Sequence, residues 1–136
     1  MRKLLLLLLF IPLGCAQTNT AETYNKSAEE KYDLKDYSGA IADYNKAIEI
    51  NPNDAKAYSN RGVVQVDLKN YYGALADYTK AIEIKPNYAA AYYNRGVVKY
   101  ILGDNSGAVA DFTKAIEIDP NLAEAYYNRG IVQKII

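Results

Sequence analysis

Histidine and tryptophan are missing from this 136-residue chain, and cysteine occurs once, at position 15. With no imidazole and a single thiol, the commonest acid–base pairs, cysteine metal clusters and intrachain disulfides have nothing to be built from. A glycine-rich phosphate loop and a metal-spaced ligand set are missing too. Carboxylates are plentiful, but they fall in regular rows that read as surface, so neither an enzyme nor a cofactor or metal is expected. Charge of one sign is also lacking: 16 Lys and Arg balance 16 Asp and Glu, and nothing draws nucleic acid by bulk charge. The main apolar run, Leu4 to Ile11, covers only about 12 Å as a helix against roughly 30 Å of bilayer core, so no transmembrane span is expected. Alternating strand patterns are absent, which leaves an all-helical domain.

What is present begins with an address. Met1-Arg2-Lys3, the apolar run and then Pro12-Leu13-Gly14-Cys15-Ala16 follow the order of an export signal. Small residues at Gly14 and Ala16 suit ordinary cleavage before Gln17, with residues 17–20 as a short linker. Leu13-Gly14-Cys15 also resembles the lipobox of bacterial lipoproteins, with Pro12 where that pattern usually has Leu; the resemblance implies a lipid on Cys15. Both routes stay open, and both place the mature chain in the periplasm, at the outer membrane or outside the cell. Removing Arg2 and Lys3 leaves 14 basic against 16 acidic residues.

The rest of the chain says one thing repeatedly. Residues 55–88 recur as 89–122, a looser copy occupies 21–54, and 123–136 supplies the opening of a fourth, a period of 34 residues. In the second copy Ala57, Tyr58, Gly62, Val64 and Leu68 mark one amphipathic helix. Lys69-Asn70 turns the chain, and Tyr71, Ala74, Leu75, Tyr78, Ala81, Ile82 and Ile84 mark a second helix. Pro52, Pro86 and Pro120 stop each second helix. Asn53, Asn87 and Asn121 are placed to cap the next first helix, with Glu124 completing a capping box on Asn121. Ala28, Gly62, Gly96 and Gly130 fall at one place in the first helices, and Ala40, Ala74 and Ala108 at one place in the second, where small residues let the pair approach. Asp43 with Lys46, Asp77 with Lys80 and Asp111 with Lys114 are spaced for ion pairs on a solvated outer face. Arg61, Arg95 and Arg129 read as lateral packing or ion pairing, and Tyr44, Tyr78 and Phe112, with Tyr58, Tyr92 and Tyr126, as packing between helices.

These residues resemble the tetratricopeptide repeat over Ala21 to Ile136. The second copy holds Tyr58, Arg61-Gly62, Gln65, Ala74, Tyr78 and Pro86 at the family's marked places. The third holds Tyr92, Arg95-Gly96, Lys99, Ala108, Phe112 and Pro120. The resemblance implies a right-handed α-solenoid of antiparallel helix pairs, with first helices lining a concave groove that takes a peptide or extended segment. The second, fifth, ninth and twelfth places should face it: Glu22, Asn25, Glu29 and Tyr32; Lys56, Ser59, Val63 and Val66; Ala90, Tyr93, Val97 and Tyr100; Glu124, Tyr127 and Ile131. Asn60, Asn94 and Asn128 form a ladder at the sixth place, suited either to a ligand backbone or to neighbouring helices. The family's carboxylate clamp for acidic chaperone tails is not expected, because Asn25, Glu29, Ala90 and Asn94 stand at four of its places and only Asn60 matches.

The expected function is thus a non-catalytic interaction module of the cell envelope, holding a protein segment through Asn60, Val63, Tyr93, Asn94, Val97, Tyr100, Tyr127 and Asn128. The alternative is a structural unit that self-associates end to end. A fourth first helix over Leu122 to Ile136, with Val132, Ile135 and Ile136 partly bare, would supply the contact.

Overall fold

The computed structural model describes residues 20–136; the export signal and Cys15 lie outside the described residues. Seven helices follow one another among them: α1 (Ala21–Asp33), α2 (Tyr37–Ile50), α3 (Ala55–Asp67), α4 (Tyr71–Ile84), α5 (Ala89–Ile101), α6 (Asn105–Ile118) and α7 (Ala123–Gln133). First helices begin 34 residues apart, as the repeat requires. Each packs on its neighbours in sequence, and successive first helices α3, α5 and α7 also touch.

The turn inside each hairpin is the same three times. Asp36 N–H reaches back to Lys31 C=O, Asn70 to Gln65 and Asp104 to Lys99, each at 2.8 Å, closing a Schellman-type end. The left-handed residue this needs is Lys35, Lys69 or Gly103. The next residue caps the second helix: Asp36, Asn70 and Asp104 accept from the backbone N–H of Gly39, Gly73 and Gly107.

Between repeats the caps differ from expectation. The proline stops hold, with α4 ending at Ile84, but the first helices are capped one residue later than Asn53, Asn87 and Asn121. Asp54 accepts from Ala57 N–H, while Tyr88 and Leu122 give no side-chain cap. The cause is a β-turn over each proline, in which Asp54, Tyr88 and Leu122 N–H bond back to Asn51, Lys85 and Asp119 C=O. The turn makes its fourth residue the cap, so the expected Asn121–Glu124 box does not form.

Aromatic side chains tie each pair to the next through successive core clusters. Tyr44 packs with Ala28, Ala57 and Val64, Tyr78 with Val63 and Val98, and Phe112 with Val97 and Val132. Each thus lies between its own hairpin and the following first helix. A Cβ on Gly62 would come within 2.8 Å of the Tyr78 ring, and one on Gly96 within 2.8 Å of Phe112, so the expected close approach is real there. At Gly130 an added Cβ meets nothing within 4 Å.

Candidate partner-binding groove

The groove is held in shape by carboxylates that the sequence pattern had assigned to the outer surface. Asp43, Asp77 and Asp111 are buried, and their partners lie on the first helices rather than at Lys46, Lys80 and Lys114. Arg61 grips Asp77 with two nitrogens, at 2.8 and 2.6 Å, and Gln65 adds a third bond at 2.9 Å. Arg95 repeats the fork on Asp111 at 2.8 Å twice, joined by Lys99 at 2.9 Å. In the first repeat Ser27 and Lys31 hold Asp43, each at 2.6 Å. Burial pushes the Asp43 carboxyl up, but these bonds outweigh it and leave it below its ordinary value. Asp at this place turns inward because a buried charge must be paired, and the preceding helix offers the pair. Lys80 and Lys114 instead meet Glu83 and Glu117 on the solvated face, at 3.4 Å.

With the pairs locked, the first helices present two equivalent cavities. One, of about 400 Å³, is lined by Glu29, Tyr32, Asp33, Tyr44, Lys56, Asn60 and Val63. Two repeats further on, a cavity of about 350 Å³ is lined by Val97, Tyr100, Ile101, Phe112, Asn128, Ile131 and Val132. Six places are common to both, and Glu29 and Asp33 of the first have become Val97 and Ile101 of the second. The first is polar and largely satisfied: Lys56 and Asn60 reach Glu29 at 2.8 and 3.2 Å, and the Tyr32 hydroxyl donates to Asp67 at 2.8 Å. That bond to Asp67 pushes Tyr32 up to about 12, and burial does the same for Tyr44.

The expected site residues are distributed as follows. Val97, Tyr100 and Asn128 line the apolar cavity, Asn60 and Val63 the polar one. Tyr127 is exposed at 71%. Tyr93 is half-buried, packs on Phe112 with ring centroids 5.8 Å apart and accepts a bond from Asn128 at 3.0 Å. Asn60 and Asn128 therefore each spend one N–H on the preceding first helix; Asn94 stands half-buried between them in the same register. Ser59, expected in the lining, is instead buried. Three contributors to the apolar cavity escaped the sequence reading, Val132 among them. Ile101 stands at the thirteenth place, where the earlier copies carry Asp33 and Asp67, and Phe112 lines the cavity as well as packing the core. The signal for Ile101 was the divergence of that one place between otherwise concordant copies.

Among the described residues no cluster of three or more His, Cys, Asp or Glu could hold a metal, and no helix is long and apolar enough to cross a membrane.

The pattern described as TPR repeat matches residues 28–69 and 98–134, and tetratricopeptide repeat patterns match 55–88 and 77–110. The chain belongs to the tetratricopeptide-repeat family. Its fold is the right-handed α-solenoid of antiparallel helix pairs found in solved members. The TPR domain of Arabidopsis OM64 superposes with a TM-score of 0.84 at 28% identity, covering 87% of this chain and 98% of that one. MamA superposes at 0.83 and 27% identity, over 88% of this chain and 70% of that one. The first TPR of Spaghetti (RPAP3), solved with an HSP90 peptide, superposes at 0.84 and 23% identity, over 86% and 93%. No curated protein matches the chain.

Proposed function

We propose that the chain is a non-catalytic interaction module whose groove holds an extended segment of a partner protein by a bulky apolar or aromatic side chain. The observation that carries this is the cavity between α5 and α7. There Val97, Ile101 and Ile131 replace the charged or smaller residues of the equivalent polar cavity, while Tyr100 and Asn128 keep the Tyr and Asn found there. An apolar pocket with one amide at its edge suits a side chain entering from a strand-like segment whose backbone is read by Asn. Asn60 and Asn128 supply that backbone contact with the amide groups left over from their lateral bonds, and Asn94 supplies it from the same register; Val63, Tyr93 and Tyr127 extend the surface. An acidic chaperone tail of the kind seen on Spaghetti (RPAP3) is not the proposed ligand, since Glu29 and Ala90 stand where its clamp would need an amide and a cation.

Titration of a peptide panel varied at one apolar position tests this. Tyr100→Ala and Tyr127→Ala should each weaken the best peptide by about 1 kcal/mol or more without altering the far-ultraviolet spectrum. Unchanged affinity in both variants removes the groove from the function.

The address favours work in the cell envelope, in the periplasm, at the outer membrane or beyond it. A cation pair, an apolar run and small residues before Gln17 support export, and Cys15 is the residue a lipid would use. The intact mass of the mature chain decides: a start at Gln17 means ordinary cleavage, an acylated Cys15 means an anchor, and full-length protein refutes both.

A further inference from the structure

The two ends of the groove differ in charge. Glu22, Glu29, Asp33 and Asp54, against Lys26 and Lys56, line the cavity between α1 and α3 and the wider one of about 750 Å³ that adjoins it. No charged residue lines the apolar cavity between α5 and α7. At the acidic end donors are also short. Lys56 and Asn60 serve Glu29, and Asn25 Nδ2 donates to Asp54 at 2.6 Å. Asp33 is exposed at the rim and its side chain meets no donor among the described residues, while Asn25 Oδ1 is buried without one. A buried acceptor left bare costs free energy, which an incoming donor recovers.

The walls specify that donor. Tyr32 and Tyr44 line the same cavity as Glu29 and Asp33, and a ring beside a carboxylate suits a planar cation. The chain makes this pairing itself. Arg61 lies over Tyr58 at 5.4 Å while it grips Asp77, and Arg95 lies over Tyr92 at 5.5 Å while it grips Asp111. Lys56 does not close the cavity to a second cation. Its pair with Glu29 sits at the rim, with side chains 64% and 43% exposed, and a pair so exposed contributes little.

We infer that the cavity between α1 and α3 receives an arginine side chain of the same partner segment whose apolar side chain fills the cavity between α5 and α7. The guanidinium lies between Glu29 and Asp33, against the Tyr32 ring. The spacing of the two anchors follows from the scaffold: α3 bonds α1 through Asn60 and Glu29, and α5 touches both α3 and α7. Packed helices lie about 8–10 Å apart, so two steps along the first helices span roughly 16–20 Å, which an extended chain at about 3.3 Å per residue covers in about five or six residues. The assignment rests on the groove being the binding surface, and adds the charge and the spacing of what it holds.

The test uses capped peptides with one Arg and one Phe in an otherwise Ser and Gly sequence, in both orders and at varied spacing, titrated into the whole protein and followed through its backbone amides. A separation of five or six residues should bind best, with saturable shifts at Asp33 and Asn60 as well as at Val97 and Ile131. Replacing the peptide's Arg with Gln should weaken binding at least about fivefold and erase only the first pair of shifts. Asp33→Lys should weaken the Arg peptide likewise and make a Glu peptide bind better than the Gln one. Asp33 is exposed, so this variant keeps its fold, which circular dichroism verifies. Equal binding by the Arg and Gln peptides, indifference to spacing, or an Asp33→Lys protein that still prefers Arg overturns the inference. The groove itself survives those results as long as Tyr100→Ala weakens the Arg and Gln peptides alike. If Tyr100→Ala weakens neither, or no peptide shifts any amide at millimolar concentration, both readings fall.

Discussion

Glu29, Tyr32, Asp33, Tyr44, Asn60 and Val63 at one end of the groove occupy the same six places as Val97, Tyr100, Ile101, Phe112, Asn128 and Ile131 at the other. Tyr100 and Asn128 keep residue type, Phe112 and Ile131 keep character, and two places change from carboxylate to aliphatic. The constant places are those that the helix packing uses: the aromatic that closes over a small residue and the amide that bonds the preceding first helix. The variable ones project from the first helices into the opening, with Val97 also packed against the Phe112 cluster. A repeat can therefore exchange the chemistry of its lining without renegotiating its fold, and the two ends of this groove offer different surfaces on one scaffold.

That division fails if the scaffold residues prove dispensable, and the largest effect should be found there. Asp77→Ala leaves the Arg61 guanidinium, whose side chain is only 19% exposed, without its carboxylate. A loss of about 3–5 kcal/mol is expected, because an orphaned buried charge costs more than the pair contributes. Thermal unfolding should fall by about 10 °C or more. Lys80→Gln, which touches only the exposed Glu83, should change stability by less than about 0.5 kcal/mol. Equal effects from the two would return Asp77 to the surface role its spacing suggested.

A smaller effect tests the lining. Glu29→Val with Asp33→Ile copies the apolar end of the groove onto the polar end. It sacrifices the bonds from Lys56 and Asn60, one an exposed ion pair, and stability should move by no more than about 1 kcal/mol. A peptide selected for the apolar cavity should then bind with two sites where it had one. A drop well beyond that figure in chemical denaturation would mean that the lining belongs to the scaffold, and the contrast between the ends would lose its meaning.

Much of this scaffold is legible in the sequence. Period, prolines and small residues fixed the hairpins because each reports a local or nearest-neighbour constraint, and the repetition of Gly62 at Gly96 reported a real close approach to Tyr78 and Phe112. The aspartates were misplaced because Asp77 and Lys80 sit at a spacing that favours a pair on one helix, while the partner that wins, Arg61, lies sixteen residues away on another. Only their joint recurrence, Arg61 with Asp77 and Arg95 with Asp111, carried the signal. Val132 was expected bare for want of a second helix in its own repeat, yet it is buried against Phe112 of the repeat before; Ile135 and Ile136 are exposed beyond the end of α7. At the groove, Val97 and Tyr100 stand at places the family resemblance assigns to the lining, and both line the apolar cavity. Ile101 lines it too, yet the thirteenth place is not among those the family resemblance assigns to the lining.

The two halves also differ in a single turn residue, and the smallest effect lies there. Lys35 and Lys69 adopt φ of 61° and 60° at the end of α1 and α3, while the same place after α5 is Gly103 with φ of 86°. A side chain in this left-handed region crowds its own backbone, and glycine avoids that cost. An added Cβ at Gly103 meets nothing within 4 Å, so any penalty there is conformational and not a clash. Lys69→Gly should raise stability by about 0.5–1 kcal/mol, less what glycine forfeits through a freer unfolded chain. Gly103→Lys should lower it by a similar amount. Because the three turns share their hydrogen bonds, the two changes should cancel in the double variant, as separated sites do. A neutral Gly103→Lys, measured by urea unfolding, would show that the third turn tolerates lysine as readily as the first two, and that the halves are interchangeable in their backbones without help from glycine.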